Sequence, residues 1–175
     1  MSRELLLLRH AKSDWDALTE RDADRVLSKR GRRDAPLVGE WLANEGLIPE
    51  VVVCSPAVRT RQTLTAVLER LDMADFPVAF DRRIYEASLS SLLQVLVDYP
   101  NTVRRTLLVG HNPGVDDLVM YLASSPPPLT RSGKLMTTAA LARIELPDDW
   151  SRLSQGCGSV VCLMRPKELI SARGH

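Results

Sequence analysis

The 175-residue sequence is short of the features that mark membrane, secreted and metal-dependent proteins. Its opening apolar run, Leu5–Leu8, is far below the roughly 20 residues of a membrane helix. The same run is too short for a secretory signal and is followed by no cleavage site. Cysteine is scarce, at Cys54, Cys157 and Cys162, an odd count without metal-site spacing. Buried reduced thiols and a cytoplasmic location are the expectation. Histidine is equally scarce: His10, His111 and a His175 in a polar tail where no role is expected. Neither sign of charge dominates, with 23 basic against 22 acidic residues. No global field therefore draws the chain to nucleic acid or an anionic membrane, and any affinity for an anion must be local. There is no GxxxxGK[ST] nucleotide loop, no HExxH, no Cys/His cluster and no clustered set of aspartates, so no metal or other cofactor is expected. Without internal repeats, low-complexity tracts or a linker, residues 1–175 read as a single domain.

What is present is a series of short apolar runs, each ending in polar residues. Glu4–Leu8 reads as a strand buried on both faces, and it stops on Arg9-His10. Asp14–Val26 is polar and charge-rich, an exposed loop able to wall a site or merely to connect. Ser28 N-caps a helix running to about Glu45 and closed by Gly46, in which Pro36 marks either a kink or the start of the regular part. Val51–Cys54 is a second buried strand. Ser55 and Pro56 follow as N-cap and first residue of a helix to about Leu71, placing Arg59 in its first turn. Val78–Phe80 is a short strand, Ser88 or Ser90 opens the next helix, and Thr106–Val109 is a third clear buried strand ending in Gly110-His111-Asn112-Pro113-Gly114. A helix over about Val115–Ala123 leads to closing strands at Thr137–Leu146 and Ser159–Met164. The alternation predicts a three-layer α/β/α domain with a mostly parallel sheet.

In such a sheet ligands bind beyond the carboxyl ends of the strands, so Arg9 and His10, Ser55 and Arg59, and His111 and Asn112 can converge. Two guanidiniums, two imidazoles and a helix N-terminus suit a phosphoryl group: arginine offers a planar fork of donors and stays charged. Phosphoryl transfer without a metal then needs a protein nucleophile, which His10 can supply. Arg61 reads as solvated, Gln62 as supporting or exposed, and Lys12, Ser13, Asp14 and Trp15 as pocket rim or ordinary loop.

Leu8-Arg9-His10-Ala11, Ser55–Thr63 and Val109–Pro113 together resemble the histidine phosphatase superfamily, also called phosphoglycerate-mutase-like. The opening RHAKSDW and the Tyr85-Glu86-Ala87 segment look most like its SixA-type phosphohistidine phosphatase branch. The resemblance implies that His10 forms a covalent phosphohistidine which water hydrolyses, with Arg9, Arg59 and His111 holding the phosphoryl oxygens and Ser55 and Asn112 nearby. Ala11 replaces the glycine of the family signature, which would narrow the pocket and restrict φ. His10 must be neutral to attack, with its other nitrogen fixed by an acceptor, and His111 would help most if protonated. Glu86 is either the acid that protonates a leaving oxygen or a structural carboxylate; a phosphoimidazole needs such an acid less than an ester does. The implied function is dephosphorylation of phosphohistidine in a protein. The alternatives are a phosphatase of small phosphate monoesters and a phosphate-binding module without turnover. Oligomeric state is not legible.

Overall fold

A computed structural model describes residues 2–174, so the reading of His175 lies outside the described residues. Six strands form one sheet: β1 (Arg3–Arg9), β2 (Val51–Cys54), β3 (Ala79–Phe80), β4 (Arg105–Gly110), β5 (Leu141–Leu146) and β6 (Ser159–Met164). Their order is β3-β2-β4-β1-β5-β6. β1, β2, β3 and β4 pair in parallel, while β5 runs antiparallel to β1 and β6 antiparallel to β5. Only β5 is therefore reversed, and the sheet is mostly parallel with β1 inside it.

The leucine run explains the layering. Side chains alternate across a strand, and Leu5 and Leu7 enter one hydrophobic cluster while Leu6 and Leu8 enter the other. The first cluster is covered by α3 (Leu89–Val97) and α4 (Gly114–Leu122), the second by α1 (Lys29–Asn44) and α2 (Val58–Arg70). A strand covered on both faces has no polar side, which is why four consecutive leucines are tolerated here. The final helix, α5 (Pro166–Arg173), rests on the α1 face through Leu169.

The N-cap of α1 is Ser28, whose Oγ accepts from the Gly31 amide. The helix is continuous from Lys29 to Asn44 with Pro36 inside it, so its regular part does not start at the proline. Three expectations need correction. Helix α2 begins at Val58 behind Ala57, which has no side-chain cap; the Ser55 hydroxyl makes its short bond to His111 and accepts from the Ala57 amide only at 3.4 Å. The strand expected over Thr137–Leu146 begins only at Leu141, because Ala139 takes φ +61° and breaks the extended run. Helix α5 is an addition to the expected elements, and its weak signal is understandable: Pro166 is its one buried residue.

Two glycines set close approaches near the strand ends. A Cβ on Gly31 would lie 2.1 Å from the Lys12 carbonyl oxygen, so α1 can pack on the turn after His10 only with glycine there. A Cβ on Gly114 would lie 2.6 Å from the Ala87 carbonyl oxygen, and the bare backbone lets Tyr85-Glu86-Ala87 close against the end of β4.

Candidate active site

Parallel β1, β2 and β4 deliver Arg9-His10, Ser55 and His111 to one edge of the sheet. The rings of His10 and His111 lie 5.2 Å apart, and both residues are only 8% exposed. His10 Nδ1 is 2.6 Å from the Ala11 carbonyl oxygen. A carbonyl only accepts, so Nδ1 carries the ring proton and Nε2 keeps its lone pair. Burial, reinforced by the charges of Arg59, Arg9 and Arg25, lowers the His10 pKa to about 4. The turn behind the ring is pinned on two sides. The Ala11 amide donates to Thr63 Oγ1, itself bonded to the Arg59 carbonyl, and the Ala139 amide donates to the His10 carbonyl. Ala11 is fully buried in the cluster beneath α1 and α2. Its methyl packs inward, which corrects the expectation that it narrows the pocket.

His111 Nε2 lies 2.7 Å from Ser55 Oγ, and the Tyr85 ring stands edge-on to it at 5.5 Å. Burial, then the neighbouring His10 and Arg59, lower its pKa to about 3. These surroundings favour the neutral ring over the protonated one.

Arg59 is buried, and its Nη1 and Nη2 donate to the backbone oxygen and carboxylate of Asp22 at 2.9 and 3.0 Å. Asp22 lies in the Asp14–Val26 loop and also accepts from the Tyr85 hydroxyl at 2.7 Å and pairs with Arg25 at 2.7 Å. Partial burial pushes the Asp22 pKa up, but the bonds from Tyr85 and Arg59 outweigh this and hold it below the usual carboxylate range. Arg25 in turn lies 3.5 Å above the Trp15 ring. Gln62 supports the same loop by accepting from the Leu27 amide. Arg61 is exposed, with its guanidinium over Phe80.

Arg9 spends one N–H on the Met136 carbonyl. Asn112 donates to that same carbonyl and accepts from the Asp116 amide, so its side chain braces the loop that holds Arg9. Glu86 has φ +51° and an exposed side chain, and no hydrogen bond joins it to His10 or His111 among the described residues. Ser13 is buried beside Leu27, and Lys12 lies on an adjoining cleft. Asp22, Arg25 and Thr63 are the parts that the sequence does not single out. Asp22 and Arg25 sit among many similar charges, and Thr63 looks like any helix threonine.

Five buried side-chain nitrogens or oxygens lack a hydrogen-bond partner among the described residues, and four are here: Arg9 Nε, Arg25 Nε, Arg59 Nε and His111 Nδ1. An unmet buried polar group costs about 1–3 kcal/mol, so these four are groups that a bound oxyanion or ordered water would satisfy. No group of three or more His, Cys, Asp or Glu side chains among the described residues could hold a metal ion. Among the described residues no helix is long and apolar enough to cross a membrane.

An imidazole nitrogen left free to attack, with Arg9, Arg25 and Arg59 close enough to act on the ring, suits the handling of phosphoryl groups. Known proteins point the same way. Residues 5–95 match the family model of the histidine phosphatase superfamily (branch 1), and the chain belongs to that family. It is 32% identical over 133 residues to an uncharacterized chloroplastic protein of Arabidopsis thaliana, covering 71% of this chain and 61% of that one. It is 30% identical to an uncharacterized protein of Mycobacterium tuberculosis, covering 91% of this chain and 100% of the relative. The structure of the protein histidine phosphatase SixA complexed with tungstate superposes with a TM-score of 0.77 at 26% identity, over 95% of this chain and 99% of that one.

Proposed function

We propose that this protein is a phosphatase that works through His10 without a bound metal, and that its substrate is phosphohistidine carried by a protein. The observation that carries this reading is the His10 Nδ1–H to Ala11 carbonyl bond, which leaves Nε2 as a fixed nucleophile. Nε2 attacks phosphorus, the P–N bond of the substrate breaks, and the leaving imidazole takes a proton from solvent. Water then attacks the phosphorus on His10, that P–N bond breaks, and orthophosphate leaves with His10 restored. Arg9 and Arg59 hold the equatorial oxygens, and His111 donates through Nδ1 when the Ser55 hydroxyl donates to Nε2. Asp22 anchors the arginines; an ionised carboxylate held by Tyr85 and Arg59 is a poor proton donor. Asn112 acts through the Met136 loop. The choice of a protein substrate rests on the SixA likeness.

Because Glu86 makes no hydrogen bond to His10 or His111 among the described residues, phosphoimidazole is the leaving group that the site handles best. A phosphohistidine peptide is expected to be hydrolysed faster than aryl or sugar phosphates, with EDTA having no effect. Glu86→Gln is expected to leave ester hydrolysis within about twofold of the native rate. Faster turnover of a small ester than of the peptide overturns the substrate assignment, and equal ester rates in the variant remove Glu86 as an acid.

The histidine environment also fixes a pH response. His10 attacks only when neutral, and its pKa is lowered to about 4. Corrected for substrate ionisation, kcat/KM is therefore expected to stay level down to about pH 5 and to fall as protons bind through about pH 4. An acid limb centred near 6.5, the ordinary imidazole value, contradicts this environment.

A further inference from the structure

Beside Arg9 lies a cleft of about 430 Å³ lined by Arg9, Lys12, Arg30, Arg131, Lys134 and Lys167, with only hydroxyl side chains of the 130–138 segment completing the wall. A chain whose net charge is +1 has thus gathered six cations and no carboxylate around one concavity. Lys12, Arg131, Lys134 and Lys167 form no ion pair among the described residues, and Arg30 reaches Asp34 only at 3.4 Å. Like charges in one cleft repel, and the arrangement persists because the wall is built. A turn closes on itself from Thr130 to Lys134, with the Thr130 amide on the Lys134 carbonyl and the Lys134 amide on Thr130 Oγ1. Buried Arg165 clamps this segment to the start of α5 by donating to the carbonyls of Leu135 and Pro128 and to Glu168.

We propose that this cleft is a second oxyanion subsite that takes a phosphate chain, next to the catalytic pocket and sharing Arg9 with it. Its volume falls in the range of small-molecule sites, roughly 300–1,000 Å³. Cations interspersed with hydroxyl donors match the many acceptor oxygens of a polyphosphate better than the two of a single carboxylate. A concave wall suits a compact multivalent anion more than a flat acidic protein face. The bound chain is either the distal phosphates of a substrate whose terminal group enters the catalytic pocket, or a free effector. The proposal stands on the cleft, independently of the phosphohistidine reading.

Inorganic tripolyphosphate is the probe. Calorimetry is expected to show binding to the native protein that weakens about tenfold or more in Arg131→Glu/Lys167→Glu, through lost charge-assisted bonds. Arg104→Glu/Arg152→Glu carries the same change of net charge on exposed residues remote from the cleft, and is expected to bind nearly as the native protein does. Inhibition of aryl phosphate hydrolysis by orthophosphate is expected to change by no more than about twofold in either pair. Release of orthophosphate from tripolyphosphate identifies the chain as part of a substrate; binding without release identifies an effector. Absence of binding to the native protein, unchanged binding in the cleft pair, or an equal loss in the control pair overturns the proposal. Failure of phosphohistidine hydrolysis alone leaves it untouched.

Discussion

His10→Ala is expected to reduce turnover by a factor on the order of 10⁴ or more, for ester and phosphoimidazole substrates alike. Removing a covalent nucleophile leaves only binding and electrostatic stabilisation, whose residual effect is small beside the intact machinery. The rest of the site survives the change: the Ala11 amide stays on Thr63, the His10 carbonyl keeps its bond from Ala139, and His111 keeps Ser55. The variant is therefore expected to fold and to bind tungstate or orthophosphate, which separates lost chemistry from lost structure. Steady-state rates with both substrate types check this. A variant that retains more than about a hundredth of native turnover is using another nucleophile or direct attack by water.

Arg59→Ala is expected to lower kcat/KM by about 10²–10³-fold, the usual cost of removing a preorganised donor from a developing oxyanion. Arg59 also neutralises Asp22, so its loss leaves a carboxylate beside the phosphoryl group, opposed by Arg25. Two further variants isolate that repulsion. Arg59→Lys is expected to recover little, because one ammonium cannot both anchor Asp22 and hold phosphoryl oxygens. Asp22→Asn added to Arg59→Ala is expected to recover part of the loss by removing the stranded charge. Substrate kinetics on native protein, Arg59→Ala, Asp22→Asn and the double variant form a double-mutant cycle. Strict additivity would mean that Asp22 is not coupled to Arg59 during the reaction.

Legibility in the sequence varies with how local each signal is. β1 is legible because four apolar residues in a row have one explanation in a layered α/β sheet, burial on both faces. The polar pairs at Arg9-His10 and at Gly110-His111-Asn112 are legible because strand direction fixes where such ends meet. Ser55 shows a local signal overridden by a distant partner. Its position before Pro56 favours capping, but the hydroxyl keeps only a 3.4 Å bond from the Ala57 amide and makes its short one to the buried imidazole of His111. Asp22 and Arg25 stay hidden among the charges of Asp14–Val26, since their selection comes from the way that loop folds back onto Arg59 and Trp15. The turn at Ala139, which ties the second half of the chain to the His10 carbonyl, depends on a positive φ that alanine does not announce. The short helix α5 lacks an apolar stripe, so periodicity could not reveal it.

The central claim is that His10 attacks through Nε2 because Nδ1 is committed to the Ala11 carbonyl. It is tested most directly by trapping the phosphoenzyme in a rapid acid-free quench and locating the phosphate by phosphorus–nitrogen NMR on ¹⁵N-histidine-labelled protein. The structure predicts one phosphohistidine, at residue 10, with phosphorus bonded to Nε2 and Nδ1 still carrying its proton. Phosphorus on Nδ1 of His10, or on any other side chain, would contradict it.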